Sequence, residues 1–153
     1  MKYNKLIIFL GINFLALAIG APHAMNGVAS PWYQALQKAP WTPPGWVFAA
    51  AWSIIMLCFS VYMAFGWSQI KNRRGLIILY IGQWILNVAW NPVFFTMHLT
   101  LLGLALILTL TLVVIYIAFR FYPEMKNKTG WLVPYILWML IATSLNAYIY
   151  AQN

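Results

Sequence analysis

Three side-chain amides, Gln83, Asn87 and Asn91, recur every four residues inside an apolar run. That spacing places them in one stripe on a helix. Amides in a hydrocarbon environment must face protein or a cavity. The stripe therefore serves one of two ends: hydrogen bonds between helices, each worth about 0.6 kcal/mol, or the polar wall of a ligand site. Pro92 follows at once. Its missing N–H frees the carbonyl of Val88 and predicts a kink beside the stripe. A second set, Tyr135, Trp138, Ala142 and Asn146, is spaced by 3, 4 and 4 residues and shares one helix face. The small Ala142 leaves room beside the indole of Trp138. Ala49, Trp52 and Met56 make a comparable face, and so do Asn13, Ala16, Gly20 and His23. Small residues on facing helices either let backbones approach closely or leave a void. A void lined by tryptophan and capped by an aromatic loop is a ligand pocket.

Other chemistry is excluded by composition. Glu124 is the single acidic residue, so no pair of carboxylates exists for glycoside or aspartic-protease chemistry. The apolar runs carry no Asp, Glu, Lys or Arg in their interiors. The usual proton relay or ion-coupling device is missing. His23 and His98 fall near helix ends without Cys or carboxylate partners. They make a poor metal site, so no metal is expected, and interfacial hydrogen bonding is the role expected of them. Glu124 falls on the opposite membrane face from both His, which rules out a Ser-His-Asp set. No phosphate-cradling Gly loop is present. Cys58 is the lone cysteine. It forms no internal disulfide and reads as a small packing residue.

The elements that position these residues follow from hydropathy. Of 153 residues, 64% are hydrophobic and 7% charged, against about 25% charged in soluble domains. Five apolar runs cover residues 6–24, 46–69, 76–95, 99–121 and 131–150. Each is about 20 residues long, the length that crosses a ~30 Å hydrocarbon core. Backbone groups in lipid must satisfy one another, and the runs lack the alternation of a membrane barrel, so they are helices. The expected fold is an all-α membrane protein, a single-domain bundle of five transmembrane helices with a short helix in the first extramembrane loop. Lys2 and Lys5 before the first run resemble the start of a signal peptide. Pro22 stands where cleavage needs a small residue, so the first run is read as a retained helix.

Orientation follows from the cations. With five spans, Lys2, Lys5, Lys71, Arg73, Arg74, Arg120, Lys126 and Lys128 share one side, and only Lys38 lies on the other. The N-terminus is expected in the cytoplasm, with the first loop and C-terminus outside. The net charge of +8 is split among three short loops at helix ends. It reads as topology signals and lipid head-group contacts, not as a nucleic-acid surface.

The stretch 31–52, PWYQALQKAPWTPPGWVFAAAW, is dense in aromatic and turn residues. Ser30-Pro31 is an N-cap followed by Pro at the first helical position. It predicts a short helix running through Lys38. Thr42-Pro43 repeats the device before the second membrane helix. Residues 25–45 are thus expected to form an ordered lid carrying Trp32, Tyr33, Trp41 and Trp46. Placement in an interfacial aromatic belt accounts for such residues too, but does not require the proline-rich ordering.

Three blocks together resemble a known family: WYQALQKAPWTPPGW at 32–46 with Trp52, GQWILNVAWNPVFF at 82–95, and PYILWMLIATSLNAYIY at 134–150. They are similar to the translocator protein family, also called tryptophan-rich sensory proteins or peripheral benzodiazepine receptors. The resemblance covers essentially the whole chain. It implies five transmembrane helices around a pocket opening on the side of the long first loop. It implies binding of porphyrins such as protoporphyrin IX and of isoquinoline carboxamide or benzodiazepine-type ligands, with no further cofactor. Trp52 and Trp138 would be the pocket tryptophans. Asn87, Trp90 and Asn91 match the third-helix motif, Ala142 and Asn146 the fifth-helix face, and Tyr33 and Trp41 the lid. The full set of expected ligand contacts adds Gly20, His23, Ala49, Gln83 and Tyr135. Homodimers, commonly through the third helix, are also implied. Animal members carry a sterol-contact motif ending in a basic residue. Here Leu145 and Tyr148 are present but no Lys or Arg follows, which argues against sterol binding and fits a bacterial membrane.

Three functions remain open from sequence. A receptor would stack a porphyrin on tryptophan faces and meet its carboxylates with His23, Lys38 and the amides. An enzyme would use Trp52 and Trp138 to degrade the porphyrin oxidatively in light. A transporter of tetrapyrroles or other lipophilic molecules would carry its cargo without a coupling ion or an evident inverted repeat.

Overall fold

Polar backbone groups have no water to bond inside a bilayer, so each apolar run closes its own hydrogen bonds as a helix. The computed structural model describes residues 3–153. Along the chain come α1 (Tyr3–Ala29), a short α2 (Pro31–Ala35), α3 (Gly45–Gln69) and α4 (Arg73–Asn91). A π-helical turn (Pro92–Thr96), α5 (Thr100–Arg120), the single turn α6 (Tyr122–Met125), a 3-10 segment (Lys126–Leu132) and α7 (Val133–Gln152) follow. Among the described residues five segments are long and apolar enough to cross a membrane: α1, α3, α4 with its π turn, α5, and the stretch Tyr122–Gln152 that ends in α7. The chain is therefore a multi-pass, all-α membrane protein. Lys2, counted above among the basic residues, lies outside the described residues.

Helix α5 packs against α7 and α4, α1 packs against α3 and α4, and α3 also touches α7. The shared core is sealed by Phe59, Tyr62 and Met63 of α3, Leu110 and Val114 of α5, and Tyr135 and Met139 of α7. At one end the Lys5 ammonium lies 4.7 Å from the Trp67 ring, and the Arg73 guanidinium 5.8 Å from it. The Lys128 ammonium lies 4.9 Å from the Phe65 ring. The starts of α1 and α4, the end of α3 and the 3-10 segment thus meet at one basic end. The 30–44 loop lies at the other.

Four local features differ from the sequence expectation, each for a physical reason. The first helix runs on to Ala29 rather than closing near 24, with Pro22 inside it. The apolar run closes before Asn26, but helical backbone bonding continues past that fall in hydropathy, and the internal proline is tolerated because neighbouring groups re-satisfy the freed carbonyl. The lid is correspondingly shorter. Ser30 caps α2 as expected, accepting the Tyr33 N–H at 3.2 Å, but α2 ends at Ala35, well before Lys38. Thr42 does not cap α3. Its hydroxyl donates to the Ala39 carbonyl at 2.7 Å and its N–H to the same oxygen at 2.9 Å, closing a turn. Pro43 and Pro44 each hold the preceding residue out of the helical region, so α3 starts at Gly45. The break at Pro92 takes the form of the π turn, in which the Met97 N–H donates to the Pro92 carbonyl at 2.9 Å.

The small residues of α1 serve close approach. A Cβ on Gly20 would sit 2.5 Å from Asn91 Nδ2, and one on Gly27 would sit 2.5 Å from both Cβ and Cδ1 of Phe95. The space beside this face is filled by side chains of α4 and the π turn.

Candidate functional site

The amide stripe of α4 meets α7 through one hydroxyl. Tyr135 is fully buried. Its OH donates to Gln83 Oε1 at 3.0 Å and accepts from Asn87 Nδ2 at 3.3 Å. The stripe thus acts as helix–helix glue at Gln83 and Asn87. Asn91 turns back on its own helix, donating to the Asn87 carbonyl at 3.3 Å. Toward the lid, Trp90 Nε1 donates to Asn146 Oδ1 at 3.2 Å, and Asn146 Nδ2 donates to the Ala142 carbonyl at 2.9 Å. Toward the basic end, Asn13 Nδ2 donates to Ser60 Oγ and Tyr80 OH donates to Asn13 Oδ1, both at 2.8 Å. A polar column runs through the bundle with its members paired.

Trp138 breaks that pattern. It is 6% exposed, and its indole N–H is buried with no acceptor among the described residues. An unpaired buried donor costs about 1–3 kcal/mol. The Trp138 ring lies edge-on to Phe48 at 5.2 Å, and the half-buried Trp52 lies edge-on to Tyr135 at 6.3 Å. These four rings span the α3–α7 contact, with Ala142 buried one turn along from Trp138. Ala49, expected beside them, is exposed.

The lid is fixed to α7 at two points. Trp41 Nε1 donates to Ser144 Oγ at 3.1 Å, and the Trp41 ring lies edge-on to Tyr148 at 5.5 Å. The Gln37 N–H donates to Asn153 Oδ1 at 2.9 Å, while Asn153 Nδ2 donates to the Gln37 carbonyl at 3.3 Å. The other side of the lid rests on the π turn. Tyr33 packs on Phe95 at 5.7 Å, under the Lys38 ammonium at 4.8 Å, and burial pushes its phenol up. Trp32 stacks on His98 at 4.0 Å.

His23 and Gly20 belong to a different neighbourhood from Trp52 and Trp138. His23 Nδ1 lies 2.9 Å from Thr96 Oγ1. It lines an open cleft of about 390 Å³ with Asn26, Ser30 and Phe95. Trp90 joins the two regions, because its N–H reaches Asn146 while its ring stacks on Phe94 at 5.3 Å. The structure therefore gathers Trp52, Gln83, Asn87, Tyr135, Trp138 and Ala142, with Trp90 and Asn146 adjoining. It sets Gly20, His23, Asn91 and Tyr33 on the α1 and π-turn side, and Trp41 at the rim. Sequence reasoning missed Phe48, Tyr80, Ser144 and Asn153. Ser144 and Tyr148 stand four apart on α7, a spacing that points both at the lid.

Chemically, the gathered groups are neutral donors, acceptors and aromatic faces. They can hold and orient a flat molecule bearing carbonyl or carboxylate oxygens. Among the described residues no three His, Cys, Asp or Glu side chains gather into a cluster of transition-metal ligands.

A family model described as the TspO/MBR family matches residues 9–151. The chain is 34% identical to a tryptophan-rich sensory protein of Cereibacter sphaeroides, covering 90% of this chain and 87% of that one. It is 31% identical to the tryptophan-rich protein TspO of Chlorobaculum tepidum, over 98% and 99% of the two chains. It is 26% identical to the human translocator protein, over 84% and 79%.

Proposed function

This chain belongs to the TspO/MBR family, and on that premise we propose that it is an integral-membrane receptor for porphyrins, protoporphyrin IX among them. The ligand lies against Trp52 and Trp138 beneath the 30–44 lid. The observation that carries this reading is the Trp138 indole N–H. Among the described residues it is, with the Tyr62 and Thr129 hydroxyls, a buried polar group without a partner, and it is set among aromatic rings. A flat aromatic ligand with an acceptor oxygen or nitrogen satisfies both features at once. Isoquinoline carboxamide and benzodiazepine-type molecules offer the same combination of rings and carbonyl. Entry requires the lid to lift and Phe48 and Trp138 to part, since their rings are now in contact. Lys38, on the lid, would meet a propionate group at the outer rim, whereas His23 stands in the separate cleft between α1 and the π turn.

The N-terminus faces the cytoplasm and the lid faces outward, because the basic end stays inside. A homodimer forms through α4, where exposed Ile78, Ile81 and Ile85 make an apolar stripe. The test is quenching of tryptophan fluorescence by protoporphyrin IX, on full-length protein in lipid nanodiscs. Saturable quenching is expected, with affinity about tenfold weaker in Trp52→Ala, which loses an aromatic face. Unchanged affinity in that variant refutes the site. A light-dependent product, lost in both Trp52→Phe and Trp138→Phe while binding persists, would move the assignment from receptor to enzyme.

A further inference from the structure

The basic end of the bundle carries an open cleft of about 450 Å³, lined by Tyr122, Lys126, Asn127, Thr129, Val133 and Ile136 among others. We propose that this cleft seats the phosphodiester headgroup of an anionic phospholipid. Charge is the first reason. The chain has nine Lys and Arg against one acid, Glu124. The Glu124 carboxylate is turned toward Lys71, whose backbone N–H it accepts at 3.4 Å. Neighbouring cations are held on aromatic faces, Lys128 over Phe65 and Arg73 over Trp67. Lys126 is the cation that lines the cleft.

Backbone and hydrogen-bonding geometry give the second reason. Lys126 has φ 47°, in the left-handed region. A non-glycine residue keeps that conformation only where its surroundings over-determine it. Here it opens the 3-10 segment directly after α6, with Lys126 on the cleft wall. Thr129 lines the same cleft, and its hydroxyl is buried with no partner among the described residues. Rotation between staggered χ1 wells offers that hydroxyl to a phosphate oxygen, and Asn127 adds amide donors.

The opposite wall selects a lipid over free phosphate. Val133 is exposed and Ile136 half-buried on the first turns of α7. Tyr122 and Trp131 are exposed at the same level, where aromatic residues mark the membrane–water boundary. An apolar wall beside a cationic rim suits the glycerol and upper acyl chain below a phosphodiester.

The test is native mass spectrometry of the full-length protein in detergent, titrated with phosphatidylglycerol, phosphatidylcholine or inorganic phosphate. Phosphatidylglycerol adducts are expected to be retained, and phosphatidylcholine adducts are not. Lys126→Gln should weaken retention about fivefold, the worth of one basic side chain at an anionic surface, and Lys126→Arg should restore it. Thr129→Val should weaken it while keeping side-chain shape. Arg74→Gln, at the same end but outside the cleft, should retain lipid as the parent does. Equal retention of both lipids overturns the proposal. So does a loss in Arg74→Gln matching that in Lys126→Gln, which would mean diffuse charge and no site. Displacement of phosphatidylglycerol by millimolar inorganic phosphate would make the cleft a free-phosphate site and overturn the lipid assignment.

Discussion

Replacing Tyr135 with Phe removes one oxygen from the middle of the polar column and leaves the ring in place. The ring keeps its edge contacts to Phe59 at 5.4 Å and Trp52 at 6.3 Å, so the change leaves packing almost untouched. Two hydrogen bonds disappear: the one donated to Gln83 Oε1 and the one accepted from Asn87 Nδ2. Side-chain hydrogen bonds in membrane bundles average about 0.6 kcal/mol and reach about 1.7. Loss of the pair therefore costs about 1–3 kcal/mol. Both orphaned amides stay buried, which favours the upper half of that range. The assay is reversible unfolding in mixed dodecylmaltoside–SDS micelles followed by helical circular dichroism. Tyr150→Phe, at an exposed side chain, is the control and should stay within about 0.5 kcal/mol of the parent. A double-mutant cycle with Gln83→Ala should return a coupling of at least about 0.5 kcal/mol. A Tyr135→Phe protein as stable as the control, or strict additivity in the cycle, refutes the argument that the stripe ties α4 to α7.

Two further perturbations test the α1 contact and the lid. Gly27→Ala places a methyl 2.5 Å from Phe95 Cβ, whereas Gly11→Ala meets nothing within 4 Å. The first should destabilise by about 1–3 kcal/mol and the second should be neutral or stabilising by up to about 1 kcal/mol, both read in the same unfolding assay. Combining Ser144→Ala with Asn153→Ala removes the side-chain hydrogen bonds that tie the lid to α7 and leaves the Trp41–Tyr148 ring contact. Acrylamide quenching of a variant whose other lid tryptophans are replaced by Phe should then show Trp41 more accessible, with little change in global stability.

Much of the architecture was legible because it is written in short-range patterns. Hydropathy marked the spans, and a repeat of four residues marked the Gln83–Asn87–Asn91 stripe. Pro92 marked the place of the break but not its form, because a freed carbonyl can be accommodated by a kink or by a π turn. The end of α1 lies beyond the apolar run because hydropathy falls at Asn26 and Gly27, whereas the helical backbone bonding continues to Ala29. Thr42 has the side chain of a cap, but the prolines at 43 and 44 settle its backbone instead. At the site, the faces of α7 and α4 followed from spacing. Their partners did not. Asn13 with Ser60, Trp41 with Ser144 and Gln37 with Asn153 pair across 47, 103 and 116 residues, and no local rule encodes such a meeting. Gly20 shows the same limit, since a small residue marks a void or a close contact equally well. Here Asn91 fills the space.

The most direct test of the central claim is the affinity of Trp138→Phe for protoporphyrin IX in nanodiscs, titrated in the dark. Phe keeps an aromatic face while removing the donor that lacks an acceptor, together with the pyrrole half of the indole. Losing one ligand hydrogen bond of about 0.5–1.5 kcal/mol should leave binding saturable and weaken it about twofold to tenfold. Affinity equal to that of the parent would contradict the account, because the Trp138 N–H would then have no part in holding the ligand.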